Sequence, residues 1–323
     1  MNKKKLEGFI KEMDNKTIQK VYENCLDLAN ENKEGLIKYL KPTPYKNQDS
    51  KNSLSFEDKS ALSKYFGIEE DDLSKLDNRI TTIHSSALLA FLAFYKVSKN
   101  APINIFGIDY TQRFFEVKNE CIDQRHPSQV DVVLADKEWN NVLYLESKFT
   151  EPLTNSKAYN ISADYKDENK GKGIGCKIYN KNFFDKDFGL NLKDSGKGNG
   201  SFNIEPGGTD KSYLPGIKQM ISHYIGILNG PTDKDFLKEM NKKPNICLAS
   251  IVYDFTSIHK NFAGRVCTYG KLYKRLAQKL NNMHSDKNVH VLEKLLTYQD
   301  VFSNENNKKL LSKTVKDLYK IGK

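Results

Sequence analysis

Cysteine is scarce and scattered: Cys25, Cys121, Cys176, Cys247 and Cys267 are the only five in 323 residues, and no pair has C-x-x-C spacing. An odd, dispersed set argues against a disulfide framework and against a structural zinc site, so reduced thiols are expected. Long apolar runs are missing as well. The longest, Ala87 to Tyr95, is far short of the roughly 20 residues that cross a bilayer, and no membrane partner is expected. The N-terminal MNKKKLEGFIKEMDNK alternates polar and apolar residues after its opening charges, without the apolar core of a secretory signal. A cytoplasmic protein is therefore expected. No internal repeat is present. The glycines of KGKGIG have no following GK[ST] and no preceding apolar strand, which excludes a phosphate-binding loop of the usual kind and leaves a flexible loop over a ligand open. His84, His126, His259, His284 and His290 show no metal-ligand spacing.

What is abundant is lysine. The formal net charge is +10 and the sequence pI about 9.1. From Lys260 to Lys323 there are 14 Lys and Arg against 5 Asp and Glu, so nearly all the excess lies in the C-terminal fifth. Such a surplus suits a polyanionic partner, and it equally suits a solvated lysine-rich surface.

Periodicity divides the chain into three. Residues 1–80 read as polar helices interrupted by the turn-rich KPTPYKNQDSKNS. Residues 81–258 read as an α/β core. It opens with a helix from Thr82 to Lys96 that is apolar on nearly every face and so buried all round. Strands follow at Arg113 to Glu120, Gln129 to Ala135 and Val142 to Phe149, the last two joined by the polar turn DKEWNN. Between about 155 and 210 no period persists, and an irregular insertion or mobile loop is expected. LPGIKQMISHYIGIL then has amphipathic helical spacing, and NICLASIVYDF reads as a buried strand. Residues 259–323 read as a basic helical region, with helices at LYKRLAQKL and near LSKTVKDLYK.

Chemistry concentrates in QVDVVLADKEWNNVLYLESKFTE. Alternation along a strand sends Glu146 and Lys148 to one face with Val142 and Tyr144, and Leu143, Leu145, Ser147 and Phe149 to the other. Charges in a Val/Leu strand oppose burial, so a cleft at the strand end is expected. Asp131 opens the preceding strand, and a tight hairpin through DKEWNN brings its carboxylate beside Glu146. Two close carboxylates suit a hard divalent cation, and a nearby ammonium would favour metal-bound hydroxide and stabilise charge gathering on a phosphate. Surface salt bridges on an edge strand are the competing explanation. Glu116 in FFEVK is a candidate further acid. Trp139 in the turn is expected to pack.

The segment VDVVL followed by YLESKFTE, in the order helix, three strands, helix, strand, resembles the PD-(D/E)XK nuclease superfamily, and within it a group of restriction endonucleases. The resemblance covers roughly Thr82 to Phe255. It implies a restriction-endonuclease-like α-β-β-β-α-β core with a central mixed sheet and helical additions at both ends. By the same resemblance Asp131, Glu146 and the Ser147 carbonyl are metal ligands, Mg²⁺ is the cofactor and Lys148 is the catalytic lysine. Gln219 corresponds to a glutamine that some branches place beside the metal, and His223, one turn on, could reach phosphate or DNA; an ordinary polar helix face explains Gln219 equally well and is the preferred reading of His223. The proline of the superfamily name departs from the pattern, since Val130 precedes Asp131 and Pro127 lies four residues back. The resemblance further implies double-stranded DNA as substrate, a homodimer, and a cognate methyltransferase as partner. A repair or recombination nuclease and a non-catalytic DNA-binding protein are the alternatives.

Overall fold

Residues rich in Val, Leu and Ile at period two pair into one mixed sheet in the computed structural model. The model describes residues 85–122, 127–149, 159–180, 183–184, 190–194, 200–204, 214–232, 236, 240, 243–256, 262–283 and 288–322. The expected N-terminal helices lie outside the described residues. Helix α1, Ser86–Phe94, begins where the Ser85 hydroxyl accepts the Leu88 N–H, and its residues from Ala87 onward are all buried. Strands β1 (Ile103–Ile105), β2 (Ile108–Asn119), β3 (Ser128–Asp136) and β4 (Asn141–Lys148) form an antiparallel meander. The β3–β4 hairpin closes as expected: Asp136 accepts the backbone N–H groups of Asn140 and Asn141, and Trp139 turns through the left-handed region.

The stretch expected to be irregular is not without structure, which corrects that expectation. It contains β5 (Tyr159–Ile161), two short 3₁₀ turns, α2 (Ile174–Ile178), β6 (Leu190–Asp194) and β7 (Gly200–Ile204). The three strands make a small antiparallel sheet in the order β5-β7-β6. Strands of three to five residues are too short to leave a period-two signal among glycines and lysines. KGKGIG supplies one 3₁₀ turn and the start of α2, and Gly171 adopts φ +54 with its N–H bonded to the Ile122 carbonyl, so it is built in rather than a loose flap.

Helix α3, Leu214–Asn229, leads to β8, Asn245–Val252, which runs parallel to β4 with Glu146 opposite Ser250 and Lys148 opposite Val252. The C-terminal region is not helical throughout. After α4 (Phe262–Met283), strands β9 (Val289–Val291) and β10 (Leu296–Thr297) lie end to end along the outer edge of β8, both parallel to it. In the gap between them the Tyr273 hydroxyl accepts the Ser250 N–H. Three short helices close the described chain: α5 (Tyr298–Val301), α6 (Glu305–Lys308) and α7 (Lys313–Tyr319).

The fold is therefore α/β, a seven-stranded mixed sheet of order β1-β2-β3-β4-β8-β10, with β9 also on β8, covered by helices on both faces. The face with Leu143, Leu145 and Phe149 packs on α1 and the C-terminal helices. The face with Val142 and Tyr144 packs on α3 and α4. Among the described residues no helix is long and apolar enough to cross a membrane, and Cys121, Cys176, Cys247 and Cys267 are free thiols. Trp139 is buried against Phe114 and Phe236, a packing role as expected.

Helix α3 comes close to the sheet at Gly226, where an added methyl would stand 3.3 Å from Ser128 Cβ and 3.0 Å from Asn119 Cβ, with the Ser128 hydroxyl nearer still. Gly226→Ala is expected to destabilise by about 1–3 kcal/mol through overpacking, read as a lower urea midpoint. An unchanged midpoint would mean that α3 stands further from β3 than described.

Candidate active site

Asp131, Glu146 and Lys148 meet where β3 and β4 separate. The hairpin ladder is regular to Val132 opposite Leu145, which sets Asp131 opposite Glu146 one step further on. At that step the carboxylate replaces the backbone as partner: Asp131 Oδ2 accepts the Ser147 N–H at 2.7 Å. A side chain thus takes over an orphan strand N–H, and the two strands can splay without leaving it unsatisfied. On the other face the Ser147 hydroxyl bonds to the Ser86 carbonyl at 3.0 Å and to the Tyr298 hydroxyl at 2.7 Å, which pins this end of β4 to α1 and α5.

The alternation expected for β4 holds. Lys148 Nζ lies 2.5 Å from Glu146 Oε1 and donates to the Ser147 carbonyl at 3.2 Å. From α3, His223 Nε2 approaches the other oxygen, Oε2, to 2.7 Å. Glu146, Lys148 and His223 are only 2%, 4% and 4% exposed, whereas Asp131 and Glu116 are half-buried. Asp131 and Glu116 are thus the more accessible members of the set.

Glu116 extends the set. The β2–β3 register places it opposite Asp131, between the pairs Phe115–Val132 and Val117–Val130. It adopts φ +54, a conformation that is unusual for a side chain of this kind, and Gln129 donates to its carboxylate. Glu116, Asp131, Glu146 and Ser250 thus form a row across four adjacent strands. Burial, then the carboxylates of Glu146 and Glu116, drive the Asp131 pKa well above the ordinary range, against a smaller pull from Lys148 and the Ser147 N–H. Burial would also raise Glu146, but the Lys148 charge and then His223 outweigh it and hold that carboxyl below its usual range.

No protein-family model, curated protein or solved structure matches the chain. The reading of the site therefore rests on its own geometry.

Of the residues singled out from sequence, Asp131, Glu146, Ser147 and Lys148 come together. Gln219 is half-buried one turn before His223 on α3 and makes no described hydrogen bond to the acids. His223, for which an ordinary polar helix face was the preferred explanation, is buried against Glu146 instead. Its neighbours at helical spacing, Met220 and Ile227, are both buried, and that flanking was the signal that it faces the sheet. Ser250 was not singled out; a serine in a Val/Ile strand paired to an acid-bearing strand is a weak signal. Among the described residues no three His, Cys, Asp or Glu side chains form a ready-made metal-ligand group. A polar surface cleft of about 660 Å³ lined by Asn104, Asp109, Asn306 and Lys309, among others, shares no residue with the acid row.

Proposed function

We propose that the chain is a metal-dependent endonuclease acting on double-stranded DNA, with a restriction-endonuclease-like PD-(D/E)XK core and a type II-like restriction role. The observation that carries the reading is the convergence of two cross-strand acids, a lysine and the Ser147 carbonyl at the splayed end of one hairpin. The element order supports it: α1, the β2–β3–β4 meander, α3, then β8 parallel to β4.

The residues fit a divalent cation on charge. Carboxylates on neighbouring strands repel one another in a place where burial already disfavours their charge, and a hard cation with oxygen ligands relieves both effects. Asp131, Glu146 and the Ser147 carbonyl would hold Mg²⁺, with waters completing its shell. When bound, that ion would polarise a phosphate oxygen and acidify a water. Lys148 places a positive charge beside the reacting phosphate, where it stabilises the charge of the transition state. Glu116, half-buried opposite Asp131, adds negative charge that would favour a cation there.

Helix α4 supplies the polyanion-binding face. Between Phe262 and Met283 it has five basic residues and no acid. Lys271, Lys274 and Arg275 are exposed, and the helix packs on the same side of the sheet as the acids. Reversing those three charges is expected to weaken DNA binding and to shrink the log K against log salt slope by about 3. A slope that stays the same would place the DNA elsewhere. A homodimer would cut both strands with one site each, and a cognate methyltransferase would protect host DNA.

The deciding experiment incubates the purified protein with methylation-free supercoiled plasmid, with Mg²⁺ and with EDTA, and sequences the product ends. Discrete fragments with constant ends fit restriction; progressive degradation or preference for branched DNA fits repair. The near-complete closure of Glu146 and Lys148 specifically favours a third reading, a DNA-binding protein whose acid cluster is structural. Salt-sensitive gel shifts without cleavage of any DNA would select that reading.

A further inference from the structure

We propose that His223 is a positioning residue for Glu146: it holds Oε2 from α3, so that the carboxylate presents Oε1 and the Ser147 carbonyl together to whatever cation lies there. This deepens the metal reading above and rests on it.

The two oxygens of Glu146 face different partners. Oε1 and the Ser147 carbonyl share one cation, the Lys148 ammonium, at 2.5 and 3.2 Å. Oε2 faces His223 Nε2 at 2.7 Å. Glu146 and the Ser147 carbonyl are, with Asp131, the groups assigned to Mg²⁺ above, and of the two Glu146 oxygens Oε1 is the one that already faces a cation beside that carbonyl while Oε2 faces the ring. A carboxylate free to rotate would lose that distinction.

His223 is suited to the task because it is fixed. It is 4% exposed, and α3 is seated on the sheet through Ile217, Met220, Ile221, Tyr224 and Ile225, all buried. Tyr224 is tied to the Leu280 carbonyl of α4 at 2.8 Å. Closed off in this way, the ring is not a contact for a DNA phosphate. Among the described residues neither ring nitrogen of His223 nor Glu146 Oε2 makes a hydrogen bond, so the 2.7 Å approach of Nε2 to Oε2 is a close polar contact, and the buried Ser250 hydroxyl on β8, which stands opposite Glu146, is likewise without one. A buried imidazole whose described polar contact is one carboxylate oxygen is retained against its desolvation cost by that contact. Groups of this kind, which orient a ligand without touching the metal, typically change metal affinity by about 10–100-fold when removed.

The test uses the full chain without DNA. Mg²⁺ binding is measured by calorimetry for wild type, His223→Leu and His223→Asn, with circular dichroism confirming that each is folded. His223→Leu is expected to weaken Mg²⁺ binding by about 10–100-fold. His223→Asn, which keeps a polar N–H group able to face Oε2, is expected to recover most of the loss. Wild-type affinity in His223→Leu, or no recovery in His223→Asn, overturns the proposal while leaving the metal reading intact. If wild type itself binds no Mg²⁺, the metal reading fails. The positioning claim is then decided by a double-mutant cycle of His223→Leu with Glu146→Gln in urea. Non-additive unfolding constants support the contact, and additive ones overturn it.

Discussion

Lys148→Ala is expected to lower Mg²⁺-dependent plasmid cleavage by at least about 10²–10³-fold, the loss typical of removing one charge-stabilising group, while DNA affinity stays within about two-fold because one contact among many is lost. The same substitution is expected to tighten Mg²⁺ binding. The Lys148 ammonium lies on Glu146 Oε1 and the Ser147 carbonyl, so it competes with the ion for the atoms that would hold it. A catalytic lysine and a competing cation can be one group, because its removal moves kcat and metal affinity in opposite directions. Three measurements on one variant separate the readings: end-point cleavage, gel shift, and calorimetry with Mg²⁺. Retained cleavage would reject the role assigned to Lys148. Weakened Mg²⁺ binding would mean that the lysine supports the ion's site instead of occupying it.

How much of this was legible from the residues varies with the length of the element that carries them. Strand β4 was readable because eight residues of alternating character include two charges, and the structure sends them where period two requires. The hairpin was readable from DKEWNN, and with it the approach of Asp131 to Glu146. Strands β9 and β10, of three and two residues, carry no period, and only the exposed edge of β8 recruits them. The β5–β7 sheet was hidden for the same reason. His223 and Ser250 were hard to see for a different one: each is a single polar residue on an element that is otherwise read by its apolar face, and its meaning comes from what lies opposite. Glu116 was visible as a candidate, but its position opposite Asp131 depends on the β2–β3 register, which no local pattern specifies.

Removal of the acid is expected to affect stability more than removal of any exposed charge. Glu146→Gln keeps the shape of the side chain but leaves Lys148, 4% exposed, as a buried cation without its counter-charge, and breaking such a pair typically destabilises by about 3–5 kcal/mol. The lower end of that range is expected here, because Asp131 stands one strand away and can supply negative charge once Glu146 is neutral. Glu146→Gln combined with Lys148→Met is expected to recover most of the loss, since an apolar chain in the place of the ammonium removes the uncompensated charge along with its partner. Urea unfolding of the two single variants and the double variant measures this directly. Additivity, or a loss under about 1 kcal/mol for Glu146→Gln, the range of exposed pairs, would mean that water reaches the pair freely. In that case the end of β4 opens to solvent more than the 2% and 4% exposure of Glu146 and Lys148 implies.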